Sequence, residues 1–193
     1  MTTKPNYTSA LSPEYALLGM LYQQPAHGYE LHQRLVTDLG QIWHISLSQA
    51  YNILNRLESQ GFITGNLLEQ KKLPSRRQFH LTSAGRERFE TWLQAPTGCS
   101  VRAIRVEFTT RLYFAYLIDN EQALNLIEGQ IAETQVGIER LEKDLDSTPE
   151  EQTFNRLGLE LRVNQLASIL DWLSACKRAL GLETGQTIIS PGD

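Results

Sequence analysis

The segment Ser46-Leu-Ser-Gln-Ala-Tyr-Asn-Ile-Leu-Asn-Arg-Leu-Glu-Ser-Gln-Gly61 is a helix written with two unlike faces. Ser46 with Gln49 three residues on forms a capping box, and Gly61 ends the run. Leu47, Ala50 or Tyr51, Leu54 and Leu57 keep the helical period and predict an inward stripe. The other face reads Ser48, Gln49, Asn52, Asn55, Arg56 and Ser59, with no acid until Glu58. Surface helices usually carry Glu and Lys; this one carries neutral hydrogen-bonding groups and one cation. Amides pair bidentately with adenine, Arg with guanine, and Ser with base or phosphate. Tyr51 can give its hydroxyl to a phosphate or pack inward. At 1.5 Å per residue the helix is roughly 22 Å long, which suits a major groove.

What lies on either side decides whether that face is used. Downstream, Phe62 to Glu69 and Gln78 to Thr82 have strand character. Between them Gln70-Lys-Lys-Leu-Pro-Ser-Arg-Arg77 holds four cations. This predicts a two-stranded β-hairpin with a basic loop, whose Lys71, Lys72, Arg76 and Arg77 can neutralise phosphates. Such contacts give affinity and orientation but little sequence information. Thr82 caps a further helix with Phe89, Trp92 and Leu93 on its apolar face. Upstream, Ser12 reads as an N-cap, Pro13 as the first helical residue and Glu14 as an acid at the positive end of the helix dipole. That helix runs to about Gln24, with Leu17, Leu18 and Leu21 inward. His27-Gly28 opens a second helix with Leu31, Leu35 and Leu39, ending at Gly40. Helix, helix, helix, hairpin, helix within about 85 residues is a winged helix-turn-helix arrangement.

The rest of the chain is helical. Val101, Ile104, Phe108, Leu112 and Ala115 fit a helix from Val101 to Ile118. Asp119 with Gln122 caps a longer one, in which Leu124, Ile127, Ile131, Thr134, Ile138, Leu141 and Leu145 form a heptad seam. Thr148-Pro-Glu-Glu151 stops that helix and caps the next, where Leu159, Leu166, Leu173 and Leu180 recur every seven residues. These stripes exceed what three helices cover among themselves, so a homodimer through Leu124, Ile127, Ile131, Ile138, Leu141, Leu159, Leu166 and Leu173 is expected. Twofold symmetry would set two reading helices about 34 Å apart, one DNA turn. The fold class expected is mainly α. An arm (1–10) precedes the winged helix-turn-helix domain (11–95), which a helical dimerisation domain (96–180) and a flexible tail (181–193) follow.

Composition narrows the alternatives. The 193 residues carry a net charge of −4, divided as +2 before residue 96 and −6 after it. The acidity excludes unspecific polyanion binding but leaves room for a local basic patch. No apolar run approaches a membrane span, and Met1 to Ala10 lacks a signal-peptide pattern. Cys99 and Cys176 cannot make a disulfide scaffold, and a reducing cytoplasm is expected. There is no phosphate loop, dinucleotide glycine fingerprint, zinc histidine pair or serine elbow. No enzyme activity, metal or cofactor is therefore expected. The rival function is a winged-helix protein–protein interaction module that has lost DNA binding.

Several stretches resemble the PadR family of bacterial transcriptional regulators. They are Glu14-Tyr-Ala-Leu-Leu-Gly-Met-Leu21, His27-Gly-Tyr-Glu-Leu31, Trp43-His-Ile-Ser-Leu-Ser-Gln-Ala-Tyr51, Ile53-Leu-Asn-Arg-Leu-Glu58 with Gly61-Phe-Ile63, and Arg77-Gln-Phe-His-Leu-Thr82 with Gly85-Arg86. Arg102–Phe114 and the two long helices resemble virulence-activator C-terminal domains. The resemblance implies a winged-helix DNA-binding domain, a helical dimerisation domain, and repression relieved by a small effector. It assigns Gln49, Tyr51, Asn52 and Arg56 to the reading helix and Lys71–Arg77 to the wing, with a double-stranded operator as partner. The family often has Pro after Tyr51; here Asn52 stands there and adds an amide. The effector is not identified by the sequence, although Trp43, Trp92, Tyr113 and Tyr116 are the aromatic groups that could line its pocket.

Overall fold

The computed structural model describes residues 12–70 and 73–182, the side chains of residues 68–70 and 73–76 excepted. The proposed arm and most of the proposed tail, with Lys71 and Lys72, lie outside the described residues. The chain divides into two compact units: one of residues up to Ala95 with Arg105–Phe114, the other of Pro96–Ile104 with residues from Ala115 onward.

In the first unit the order is α1 (Glu14–Gln23), β1 (Ala26–His27), α2 (Gly28–Leu39), α3 (Leu47–Ser59), β2 (Ile63–Gln70), β3 (Leu73–Leu81) and α4 (Ser83–Gln94). Helix α1 is the hub. All of Glu14–Leu21 is buried, not only the Leu17, Leu18 and Leu21 stripe, because α2, α3, α4 and β3 all pack on it. Its N-cap is Pro13, with Ser12 Oγ accepting from the Glu14 amide at 3.3 Å. Glu14 does stand in the first turn of α1, and it is enclosed there.

Helix α3 is capped as its sequence prescribes. Ser46 Oγ accepts from the Gln49 amide at 3.2 Å, and Gln49 Oε1 accepts from the Ser46 amide at 2.8 Å. At its other end the Gly61 amide reaches the Glu58 carbonyl and the Phe62 amide the Leu57 carbonyl, both at 2.9 Å. This Schellman closure needs a left-handed residue, and Gly61 supplies φ +77°.

The expected hairpin forms from β2 and β3, and a third strand joins it, in the order β1-β3-β2. The third, Ala26–His27, is too short to carry any periodicity; it pairs Ala26 with Phe79 and His27 with Gln78. The basic stretch is also less of a loop than expected, since β3 already starts at Leu73 and Arg77 pairs with Leu67 inside the ladder. Thr82 caps α4 as expected, its Oγ1 accepting from the Gly85 amide at 3.1 Å.

Residues 101–118 are helical but not uniformly so. α5 (Val101–Ala103) passes into a π-helical turn (Ile104–Phe108) and then α6 (Thr109–Ile118). Within the first unit this segment delivers Glu107 and Arg111 to the interior, joined at 2.6 Å, with Arg111 over the Trp92 ring at 4.9 Å. Thr110 Oγ1 accepts from Trp43 Nε1 at 2.9 Å, and the Tyr113 hydroxyl donates to Asp38 Oδ2 at 2.5 Å.

Burial, and then the bond to Asp38, push the Tyr113 hydroxyl up to about 12, against a smaller opposing effect of Arg34. A pKa raised in the folded state means stability that is complete below the free tyrosine value near 10 and drains away as pH rises toward 12. Tyr113→Phe is therefore expected to flatten the alkaline limb of the stability curve between about pH 10 and 12. Urea midpoints measured across that range check it, and an unchanged slope would remove the role given to this hydrogen bond.

The second unit is built on a helical hairpin of α7 (Asn120–Ser147) and α8 (Thr153–Ala179). Asp119 Oδ2 caps α7 through the Gln122 amide at 3.1 Å. Thr148, expected to start the next helix, instead closes this one: its hydroxyl donates to the Asp144 carbonyl at 2.7 Å and its amide to the Leu145 carbonyl at 3.2 Å. The N-cap of α8 is Gln152. Arg156 Nη1 reaches back to the Leu145 and Thr148 carbonyls at 3.0 and 2.7 Å, so the orphan acceptors at the end of α7 are met by a cation. Ile127, Leu141, Leu166 and Leu173 are buried here within the single chain, while Leu124, Ile131, Ile138 and Leu159 are half-buried.

Candidate nucleic-acid interface

The capped α3 turns Ala50, Ile53, Leu54 and Leu57 inward, whereas Leu47, expected in that stripe, lies in the first turn and is exposed. Helical geometry then leaves Ser48, Gln49, Tyr51, Asn52, Asn55 and Arg56 exposed, and all six are. They are not equally available. Ser48, Asn52 and Asn55 make no side-chain hydrogen bond among the described residues, so their polar groups face solvent. Gln49 has committed its carbonyl oxygen to the cap and retains only its amide donors. Tyr51 lies against Gly28 at the start of α2; a Cβ on that glycine would sit 2.6 Å from the ring.

Arg56 is held from below. Its Nε donates to Glu14 Oε1 at 2.6 Å, and Nη2 also pairs with that oxygen. The other carboxylate oxygen accepts from Arg88 Nη2 of α4 at 2.9 Å. Glu14 is fully enclosed while 47% of the Arg56 side chain stays in solvent. Bidentate recognition of guanine needs two outward donors; with Nε and one Nη2 hydrogen held by Glu14, Arg56 keeps the second Nη2 hydrogen and both Nη1 hydrogens for it. Sequence reading missed Glu14 as the partner because 42 residues separate the two. The one local signal was an acid in an otherwise apolar α1.

The wing side is similarly committed. Arg77 Nη2 donates to both Glu58 oxygens, at 2.6 and 2.7 Å, so this cation is tied to α3. Lys71 and Lys72 lie outside the described residues, as does the side chain of Arg76. Arg34 of α2 donates to Gln23 at 2.6 Å. The aromatic groups considered for an effector pocket have other partners: Trp92 stacks on Tyr15 at 4.6 Å, Trp43 binds Thr110 and Tyr113 binds Asp38, while Tyr116 is exposed. No three His, Cys, Asp or Glu side chains gather into a metal site among the described residues.

The comparisons with known proteins bear on this face. The model of the PadR-like transcriptional regulator family matches residues 17–91, from α1 through the sheet to α4. The chain carries a PadR-like domain. The model of the virulence activator alpha C-terminal region matches residues 104–181. The chain is 27% identical over 129 residues to the negative transcriptional regulator PadR of Bacillus subtilis, covering 67% of this chain and 70% of that one. It is 25% identical over 181 residues to a probable transcriptional regulator of Mycobacterium tuberculosis, covering 86% and 96%. Among solved structures, Bacillus subtilis PadR in complex with operator DNA aligns over 86% of this chain and 98% of its own, at 24% identity and a TM-score of 0.42. The matched family and both relatives are thus described as transcriptional regulators. No helix among the described residues is long and apolar enough to cross a membrane.

Proposed function

We propose that the chain is a homodimeric, sequence-specific DNA-binding repressor of the cytoplasm, released from its operator by a small molecule. One observation carries this reading. Within the PadR-like match, α3 presents Ser48, Asn52 and Asn55 with their polar groups unengaged, on a helix that buries Ala50, Ile53, Leu54 and Leu57 on its opposite side. Unengaged amides at helical spacing are what base-edge readout in a major groove requires. Repression is supported by the relative that is itself named a negative transcriptional regulator. Release by an effector comes from the family resemblance.

Pairing of two copies is supported by α8. Phe154, Leu157, Leu161 and Trp172 fall on one side of that helix and are exposed, Phe154 by 89%. A second copy is the natural cover for such a stripe. The heptad positions Ile127, Leu141, Leu166 and Leu173 then hold the hairpin together and leave the dimer contact to its outer side.

Selection of bound sequences from random duplexes, followed by anisotropy titrations, tests the reading. The selected duplex is expected to bind two chains and to outcompete a scrambled one by about 10³-fold or more. Asn52→Ala combined with Asn55→Ala is expected to cut that preference at least ~10-fold, at about 1–3 kcal/mol per lost bidentate contact. Equal affinity for both duplexes, with a stable protein partner on purification, would instead favour the interaction module.

A further inference from the structure

Glu58 is the sole acid of α3. An acid on a helix that approaches phosphates would repel them, yet this carboxylate does not face solvent freely. It accepts two hydrogen bonds from Arg77 Nη2 of β3, at 2.6 and 2.7 Å, and a third from the Gly65 amide of β2, at 2.9 Å. Arg77 is fastened at its other end too. Its carbonyl accepts from His27 Nδ1 at 3.0 Å, and its guanidinium carbon stands 5.4 Å from the centre of the Phe79 ring. Residue 65 has to be glycine for this arrangement: a Cβ there would overlap Arg77 Nε and stand 3.0 Å from Glu58 Oε1. One carboxylate of the reading helix therefore grips both strands of the wing at their root.

We infer that Glu58 is a positioning residue for operator recognition: it fixes the wing against the reading helix and withholds Arg77 from the phosphate backbone. The inference rests on the DNA-binding reading above. An exposed ion pair contributes little to stability, so the consequence lies in geometry and charge count. Phosphate contacts carry no sequence information, and each cation that neutralises one steepens the salt dependence of binding by about 0.9 log units. With Arg77 held by Glu58, the wing grips DNA through its remaining cations. With Arg77 released, affinity rises for every duplex alike and preference for the operator falls.

The test uses the full chain, a labelled duplex recovered by selection, and a random-sequence duplex of equal length, titrated from about 50 to 200 mM KCl. Glu58→Gln keeps the shape and an acceptor for the Gly65 amide but loses the charge. It is expected to steepen the log–log salt slope on the random duplex by about 0.9 per bound chain and to lower the selected-over-random ratio several-fold. Glu58→Gln with Arg77→Gln leaves the net charge of the native chain and is expected to return the slope to its value. An unchanged slope in the single variant overturns the inference. So does a double variant shallower than the native chain by about 0.9 per chain, since Arg77 would then already be a phosphate contact. Glu58→Met replaces the glutamine variant if the latter does not unfold cooperatively. Absence of any duplex binding by the native chain would instead remove the DNA-binding reading, and this inference with it.

Discussion

Replacing Glu14 by glutamine is expected to lower the unfolding free energy by about 3–5 kcal/mol. The carboxylate is fully enclosed and receives Arg56 from α3 and Arg88 from α4, so one negative charge fastens three helices. An amide of the same shape cannot balance either cation. Arg56 has half its side chain in solvent and can turn outward. Arg88 is more enclosed; it lies over the Phe62 ring at 4.3 Å and the Tyr15 ring at 5.4 Å, and it would face a neutral amide. The cost falls mainly on Arg88, which is why Arg56→Gln should cost only about 1 kcal/mol. Urea unfolding of the two variants checks the asymmetry. Similar losses for both would show that Glu14 answers Arg56 alone. The same substitution frees Arg56, so residual DNA binding by Glu14→Gln should show a changed base preference at the position Arg56 reaches.

The second large effect belongs to Arg111, which is 1% exposed and joined to Glu107 at 2.6 Å. Burial raises the Glu107 pKa, with Arg111 opposing that rise, and burial lowers the Arg111 pKa. Arg111→Met would leave the Glu107 carboxylate enclosed without its cation, at a cost of about 3–5 kcal/mol near neutral pH. The deficit should shrink in acid. A carboxyl whose pKa is raised by folding favours the folded state below its unfolded value, about 4.3, and loses that contribution as pH rises through the folded value. Replacing both partners, Glu107→Leu with Arg111→Met, should recover most of the loss, because a buried pair exchanged for apolar volume is often neutral or stabilising. Chemical unfolding of the single and double variants at pH 5 and 7.5 tests this. A double variant as unstable as Arg111→Met would show that the packing around the guanidinium, and not the stranded charge, is what the single substitution destroys.

Both effects rest on burial, which spacing along the chain did not reveal, although Glu14 stood out as an acid in α1 and Glu107 lies four residues before Arg111. Elements whose stability comes from neighbours in the chain were legible. The capping box of Ser46 and Gln49, the terminator at Gly61, the cap at Thr82 and the leucine spacing of α2 each depend on residues three or four apart. β1 was not legible, because two residues cannot show a period and their partners, Gln78 and Phe79, lie some 50 positions away. The π-helical turn inside 101–118 was hidden for a related reason: helical spacing alone does not separate it from regular helix.

The candidate site divides along the same line. Which side of α3 faces out followed from amphipathic spacing, and all six proposed residues are exposed as that spacing requires. Which of them remain available did not. Gln49 is partly consumed by its own cap, Arg56 by Glu14, and Arg77 by Glu58 with the Gly65 amide. Charge pairing acts through space over a few ångströms, and the fold decides who meets whom across 42 residues or 19. In the second unit, heptad spacing marked positions that the hairpin buries or half-buries, and it left unmarked Phe154, Leu157, Leu161 and Trp172, which are exposed on α8. Periodicity determined the elements and their inward stripes, since it reflects local backbone geometry. The pairing of charges and the free or occupied state of each polar group were set only when the elements closed on one another.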